Sequence, residues 1–239
     1  AYYKQDESGI VLFRPDKNIE RFNKSAVRMS MPEVPTELFM EGLKKLIELD
    51  KAFIPTAAGS SLYLRPFMIG TEPFIGVRTS SSYIFSIIIG PTGPYYGEPI
   101  SVLVQDTYVR SVKGGYGAAK AAGNYAGTLF PVELAKQQGY KDVLWLDGEE
   151  KKYASEVGTM NIFFVIDGKL ITPISDGTIL EGITRDSVIT IAKDLGCTVE
   201  ERNISIDEMI AAQTSGKLTE MFGTGTAATV HHISKIAYK

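Results

Sequence analysis

The sequence predicts an α+β protein built as two α/β domains joined by a Gly/Pro-rich linker, and three observations carry that prediction. Apolar runs of strand length are interspersed with longer stretches whose apolar residues recur at helical spacing. At 239 residues the chain has ample core for one large domain or two modest ones. The segment Gly90-Pro91-Thr92-Gly93-Pro94-Tyr95-Tyr96-Gly97 then concentrates helix and strand breakers in mid-chain. The expected organisation is a small domain over residues 1–90, a linker over 91–97 and a large domain over 98–239, with Tyr95 over any crevice between them.

In chain order, Ile10 to Phe13 reads as an opening strand after the turn residues Asp6 to Gly9. From Ile19 a helical stripe continues through Phe22, Ala26 and Met29. Thr36 is the expected N-cap of a second helix, with Leu38, Gly42, Leu43, Leu46 and Leu49 on one side and Pro55 beyond its end. Ser61 to Met68 alternates as a strand that puts Tyr63, Arg65 and Phe67 on one face and Leu62, Leu64 and Met68 on the other. An arginine flanked by aromatics there is either a snorkelling edge residue or an anion clamp. Tyr83 to Ile89 is almost uninterruptedly apolar, the mark of a strand buried on both faces.

Ile100 to Val104 is the next strand, and Asn124 to Gln138 has partly helical spacing, with Pro131 in its first turn or at a kink and Gly139 as its stop. Val143 to Leu146 and Asn161 to Ile166 read as strands, and Asp167-Gly168 as a tight hairpin turn into Lys169 to Thr172. Gly182-Ile183-Thr184 opens a helix with Val188, Ile191, Ala192 and Leu195 on its apolar face. Ser205 with Glu208 forms a capping box and Ile204 with Met209 its hydrophobic staple. Met221 to Ala228 runs from a strand end into a glycine-rich turn.

Composition excludes several functions. A net charge of −3, with 25 basic against 28 acidic residues, provides no broad field for nucleic acid and no polybasic patch for a membrane, so any bound anion needs a local site. Cys197 is the only cysteine, which excludes an intrachain disulfide and a cysteine-based zinc site and points to a reducing cytoplasm. The longest apolar runs fall far short of the ~20 residues that cross a bilayer, and the first residues contain no signal-peptide core. The chain does not begin with Met, so a trimmed start is expected.

Familiar motifs fail. Gly115-x-Gly117 has Lys120 where a dinucleotide fingerprint needs its third glycine, and Gly216-Lys217 lacks the rest of a phosphate loop. His231 and His232 are adjacent, so on a strand they face opposite ways and cannot chelate one metal; no metal is expected. Gly-x-Ser-x-Gly is absent.

What survives is one lysine. Between Gly114 and Gly127, five glycines and five alanines surround Lys120. A lysine among small apolar residues tends to lose its proton, and a neutral amine can form a Schiff base with a carbonyl; the other reading is a solvated loop lysine. Three places could hold a phosphate: Arg65, the helix start at Thr184, and the Gly223-Thr224-Gly225-Thr226 turn. Glu156, at the head of a strand, is either a solvated carboxylate or an acid partner for a ring nitrogen. At ~4 Å and an effective dielectric of ~20 such a pair is worth ~4 kcal/mol, which keeps the nitrogen protonated.

These residues stand in six ordered motifs: Leu12-Phe13-Arg14-Pro15, Ser61 to Pro66, Gly117 to Tyr125, Glu156 to Asn161, Gly177 to Arg185 and Phe222 to Ala227. In them the chain resembles the branched-chain amino acid aminotransferases, fold type IV pyridoxal phosphate enzymes similar in architecture to D-amino acid aminotransferase. The resemblance implies transamination of L-leucine, L-isoleucine and L-valine with 2-oxoglutarate, giving branched 2-oxo acids and L-glutamate. It implies that Lys120 is the catalytic residue, bonding pyridoxal 5'-phosphate and moving the proton at the substrate α-carbon. By the same resemblance Tyr125 binds the ring oxygen, Glu156 the ring nitrogen, and Arg65, Ile183, Thr184 and Thr226 the phosphate, while Tyr95, Thr159 and Ala227 face the substrate. It further implies a cytoplasmic homodimer, or larger homo-oligomer, whose sites are completed by the partner's small domain. Both domains are expected to be incomplete, the small one at its start and the large one at its end. Rival readings on the same fold are a D-amino acid aminotransferase, an aminodeoxychorismate lyase, and a non-catalytic binding dimer.

Overall fold

The computed structural model describes residues 1–3, 9–93, 98–227 and 229–238. The chain divides into two compact units, Ala1–Tyr95 and Tyr96–Lys239. The expected position of Tyr95 and the second half of the expected linker lie outside the described residues.

In the first unit, the short strands β1 (Tyr2–Tyr3) and β2 (Ile10–Val11) pair antiparallel ahead of helix α1 (Pro15–Arg28). Pro15 starts α1, where its fixed φ suits the first turn and its missing N–H costs nothing. Helix α2 (Thr36–Leu49) follows, then strands β3 (Ser61–Gly70) and β4 (Tyr83–Thr92), which pair antiparallel from Ser61↔Thr92 to Gly70↔Tyr83. Ile19, Phe39, Leu43, Ile47 and Leu62 form the core, with Leu64, Met68, Phe85, Ile87 and Ile89 of the ribbon packed on it. The two helices thus cover one face of a two-stranded ribbon.

Four expectations are corrected here. Thr36 is the first helical residue and Pro35 the cap, so the Thr36 hydroxyl does not cap α2. The buried stripe of α2 is Phe39-Leu43-Ile47, while Leu38 and Leu49 are exposed; a leucine-rich helix offers more than one apolar stripe, and Phe39 decides by packing against Phe85. β4 is not buried on both faces within its unit, because only β3 flanks it and Ile84 and Ile88 point away from the helices, each about half exposed. Pro91 and Thr92, expected at the start of the linker, continue β4.

In the second unit the strands are β5 (Ile100–Gln105), β6 (Asp142–Leu146), β7 (Ala154–Val157), β8 (Met160–Ile166), β9 (Lys169–Thr172), β10 (Val199–Glu201), β11 (Leu218–Gly225) and β12 (Thr229–Ala237). Their order is β10-β9-β8-β11-β12-β5-β6-β7, and β7 also pairs with β8, so six strands close into a ring. β5 runs parallel to both β6 and β12. Val102, Val104, Leu144, Val157, Ile162, Phe164 and Ile233 fill the inside of the ring. Helix α6 (Ile206–Thr214) adds Ile206, Met209 and Ala212 to that core.

Two patches of the ring's outer face are covered. Helix α4 (Leu129–Gln137) lays Ala135 over Leu103, Val143 and Trp145. Helix α5 (Ile183–Asp194) lays Ile189, Val188 and Ala192 over Phe163, Leu170 and Phe222, whose two phenyl rings stack at 5.1 Å. Ile191 and Leu195 of α5, expected on its apolar face, are exposed, because that face is set one residue round by Ile189. Asn124 to Gln138 is two helices: α3 (Ala122–Ala126) breaks before α4, whose first turn contains Pro131. Gly139, at φ 86°, ends α4 in a conformation other residues resist. Asp167 and Gly168 both take positive φ, as a tight hairpin turn requires. Half of the expected capping box forms at the start of α6: Ser205 Oγ accepts from the Glu208 amide at 3.1 Å, and Ile204 and Met209 are buried together as the expected staple. The Glu208 carboxylate goes to Arg202.

Candidate active site

Between the patches under α4 and α5, the outer face of the ring carries polar side chains. Glu156 on β7 lies opposite Asn161 on β8, and Asn161 lies opposite Thr224 on β11. Directly opposed residues project to the same face, so these three form one polar row. At ~4.8 Å per strand the row is ~10 Å long.

Glu156 and Asn161 are held by several contacts each. The Glu156 side chain is 3% exposed. Its Oε1 accepts from Asn161 Nδ2 at 3.2 Å and from the Leu180 amide at 3.3 Å, and its Oε2 meets Arg110 Nε at 2.6 Å. A carboxylate has about four acceptor positions, so one on Oε2 is left over. Burial pushes the Glu156 carboxyl up to about 7, while Arg110, the Leu180 amide and Lys120 act in the opposite sense. Asn161 also donates to Leu180 O at 2.9 Å. At the far end Thr224 is 1% exposed and its Oγ1 has no partner among the described residues. A buried hydroxyl left so costs about 1–3 kcal/mol, which a ligand oxygen can offset.

Lys120 reaches this row from a loop pinned at several points. The Asn124 amide donates to Tyr116 O and Ala119 O, both at 2.8 Å, and the Ala118 amide donates to Gly177 O at 3.2 Å. Gly117 is required here, since a Cβ would stand 2.2 Å from Thr178 O. Lys120 Nζ donates to Tyr125 Oη at 3.0 Å and lies within electrostatic reach of Glu156. The lysine is exposed on this chain, so the surrounding glycines and alanines do not by themselves take its amine out of water.

The other expected residues sort by rim. The β7–β8 turn carries Thr159, and the turn after β11 carries Thr226 and Ala227; the pairing of Asn161 with Thr224 puts both turns at one end of the sheet. All three side chains are exposed there. The start of α5, Ile183 and Thr184, has no side-chain cap, and it abuts the row because a Cβ on Gly182 would come 2.1 Å from Asn161 Oδ1. Arg65 belongs to the first unit, exposed on the ribbon face away from the helices, its guanidinium 5.2 Å from the Tyr63 ring centroid. It is not a buried clamp within that unit. The sequence reading missed Arg110, Asn124 and Asn161 as structural members of the site. No local pattern marks them, because their partners are carbonyls and a carboxylate brought in by the fold. Arg14 carries one local signal: it sits at φ 45°, a left-handed position unusual for a long side chain.

The residues present fit a flat cation-bearing ring with an anionic tail. A lysine amine faces the row, an acceptor position on a buried carboxylate marks one end, and an orphaned hydroxyl beside a helix start marks the other.

Comparisons with known proteins give the family. Residues 7–236 match the family model described as amino-transferase class IV. A curated relative, branched-chain-amino-acid transaminase 1 of Bacillus subtilis, is 51% identical over 98% of this chain and 67% of its own length. The chain spans about two thirds of the length of such relatives. A branched-chain aminotransferase from Thermoproteus uzoniensis, solved with norvaline, superposes with a TM-score of 0.82 at 29% identity, over 98% of this chain and 75% of that one. An aminotransferase from Brucella abortus, solved with the cofactor PLP bound, superposes with a TM-score of 0.75 at 25% identity, over 94% of this chain and 78% of that one. With its closed ring, its polar row and its lysine loop, the chain belongs to the class IV amino-transferase family and has the type IV fold.

Proposed function

We propose that the protein transfers the amino group of L-leucine, L-isoleucine and L-valine to 2-oxoglutarate with pyridoxal 5'-phosphate as cofactor. The observation that carries this reading is the grouping of Lys120, Tyr125 and Glu156 on one face, in a chain half identical to a branched-chain transaminase. When bound, the cofactor supplies an aldehyde and a ring that accepts electrons. Lys120 Nζ, held by Tyr125 Oη, would move the proton at the substrate α-carbon. Glu156 Oε2 would hold the cofactor's ring nitrogen, accepting from its N–H. The α5 start at Ile183 and Thr184, together with Thr226, would bind the phosphate, and Arg65 is the cation proposed for it. Thr159, Ala227 and Tyr95 line the substrate side.

The finer assignments belong to the same proposal: a cytoplasmic homodimer that engages neither membrane nor nucleic acid. Among the described residues no helix is long and apolar enough to cross a membrane. The test is a donor panel on the full-length protein. Activity with the three branched L-amino acids and 2-oxoglutarate is expected. Activity with D-alanine but not L-leucine would replace this reading with a D-amino acid aminotransferase, and absence of pyridoxal phosphate uptake would leave a binding dimer.

A further inference from the structure

Arg110 is a charged residue with a buried side chain to which the sequence reading assigned no task. It follows β5, its side chain is 6% exposed, and it makes three contacts at once. Nε meets Glu156 Oε2 at 2.6 Å, Nη1 donates to Thr178 O at 3.0 Å, and Nη2 donates to Gly117 O at 3.3 Å. Gly117 belongs to the loop that carries Lys120, and Thr178 to the loop that leads into α5. Ser111, the next residue, also donates to Thr178 O, so the two loops are laced at one carbonyl. The guanidinium fork suits this task because its donors are rigid and diverge; a lysine in its place is a point charge on a flexible stem.

We propose that Arg110 is a positioning residue which, with one side chain, pairs with the buried Glu156 carboxylate and fixes the Lys120 loop against the loop before α5. Two steps lead there. A carboxylate this deeply buried favours its neutral form, and a protonated Glu156 has no reason to hold a proton on a ring nitrogen. The charged groups that face Glu156 are Arg110 and Lys120; the neutral ones are Asn161 and the Leu180 amide. Arg110 is the one in direct contact through a charge, and the same group grips both loops, so the ionisation of Glu156 and the placement of Lys120 depend on each other.

The inference rests on the pyridoxal phosphate reading for its purpose, not for its test. Infrared titration of the cofactor-free, full-length protein follows the Glu156 carboxyl band, which E156Q removes and so identifies. In R110Q that carboxyl titrates roughly 1–3 pH units higher than in the wild type. Identical titration in the two proteins overturns the proposal. Should R110Q not fold, E156Q breaks the pair from the other side: exchange of the Ala118 amide, bonded to Gly177 O, is expected to speed up roughly tenfold, ~1.4 kcal/mol by RT ln 10, and unchanged protection overturns the coupling. Uptake of pyridoxal phosphate by the wild type is measured alongside. If the wild type takes it up and R110Q titrates normally, only the role of Arg110 falls; if the wild type takes none, the aminotransferase reading falls whatever the titration shows.

Discussion

The two units handle their polar and apolar groups in opposite ways. In the second unit, Glu156, Asn161, Asn124 and Arg110 are buried and bonded to each other or to backbone carbonyls. In the first unit the ribbon is covered on one face only, and Arg65 stands on the other with the exposed Ile69, Ile84 and Ile88. A buried polar lattice is costly to build and rigid once complete, so it is suited to holding a reacting lysine to within fractions of an ångström. An exposed arginine on a thin ribbon is suited to binding an anion that arrives. The proposed chemistry accordingly draws on the second unit's buried groups, and the proposed role of Arg65 is one of binding.

That contrast can be broken by mutation, beginning with the largest effect. Lys120→Ala is expected to lower transamination by about 10²–10⁴ or more, with thermal stability nearly unchanged because the side chain is exposed. A fall in melting temperature matching the loss of activity would move Lys120 from chemistry to scaffolding.

Next is the pH dependence of stability. The folded Glu156 carboxyl, at about 7, lies above its ordinary value of 4.5, so the folded state binds a proton more tightly than the unfolded one. The associated stability is complete below pH 4.5 and is lost as pH rises through 7. The loss amounts to about 3 kcal/mol in the cofactor-free protein. Denaturant titrations on either side of this window, at about pH 4.5 and about pH 8, should show this slope in the wild type and a flatter one in E156Q.

Glycines sharpen the contrast on a smaller scale. Gly117→Ala would drive a Cβ into Thr178 O and Ser111 Oγ and is expected to cost about 1–3 kcal/mol. Gly42→Ala, on the exposed side of α2 with nothing within 4 Å, should stabilise by about 0.5–1 kcal/mol. Equal effects at the two positions would contradict the rigid-versus-open distinction.

Smallest in stability, and most informative about binding, is Arg65→Ala. Loss of its contact with the Tyr63 ring should cost no more than about 1 kcal/mol. Its cofactor affinity should fall at least roughly tenfold if Arg65 holds the phosphate. If cofactor affinity holds and KM for the amino acid rises instead, Arg65 binds a carboxylate. The phosphate cation would then be sought at Arg14, whose left-handed backbone already sets it apart.

The sequence made legible what is local. The α6 cap needs only Ser205 and its neighbours, and the Asp167-Gly168 turn only two residues, so both read correctly. Lys120, Tyr125 and Glu156 were legible through motif order, and the fold brings them together. What composition and spacing could not supply were choices made by tertiary partners. Which stripe of α2 is buried depends on Phe85, which face of α5 on Phe163 and Phe222, and how many faces of β4 on its having a single neighbour. Arg110 was invisible for the same reason: in sequence it is one of several loop arginines, and only the ring of strands delivers Glu156 to it.

The central claim is that the amine of Lys120 is the one that meets the cofactor. Borohydride reduction of the full-length protein with pyridoxal 5'-phosphate, followed by peptide mass spectrometry, tests it directly. The account predicts a phosphopyridoxyl group on the peptide containing Lys120 and on that residue. The same mass on a different lysine, or none anywhere while transamination persists, would contradict it.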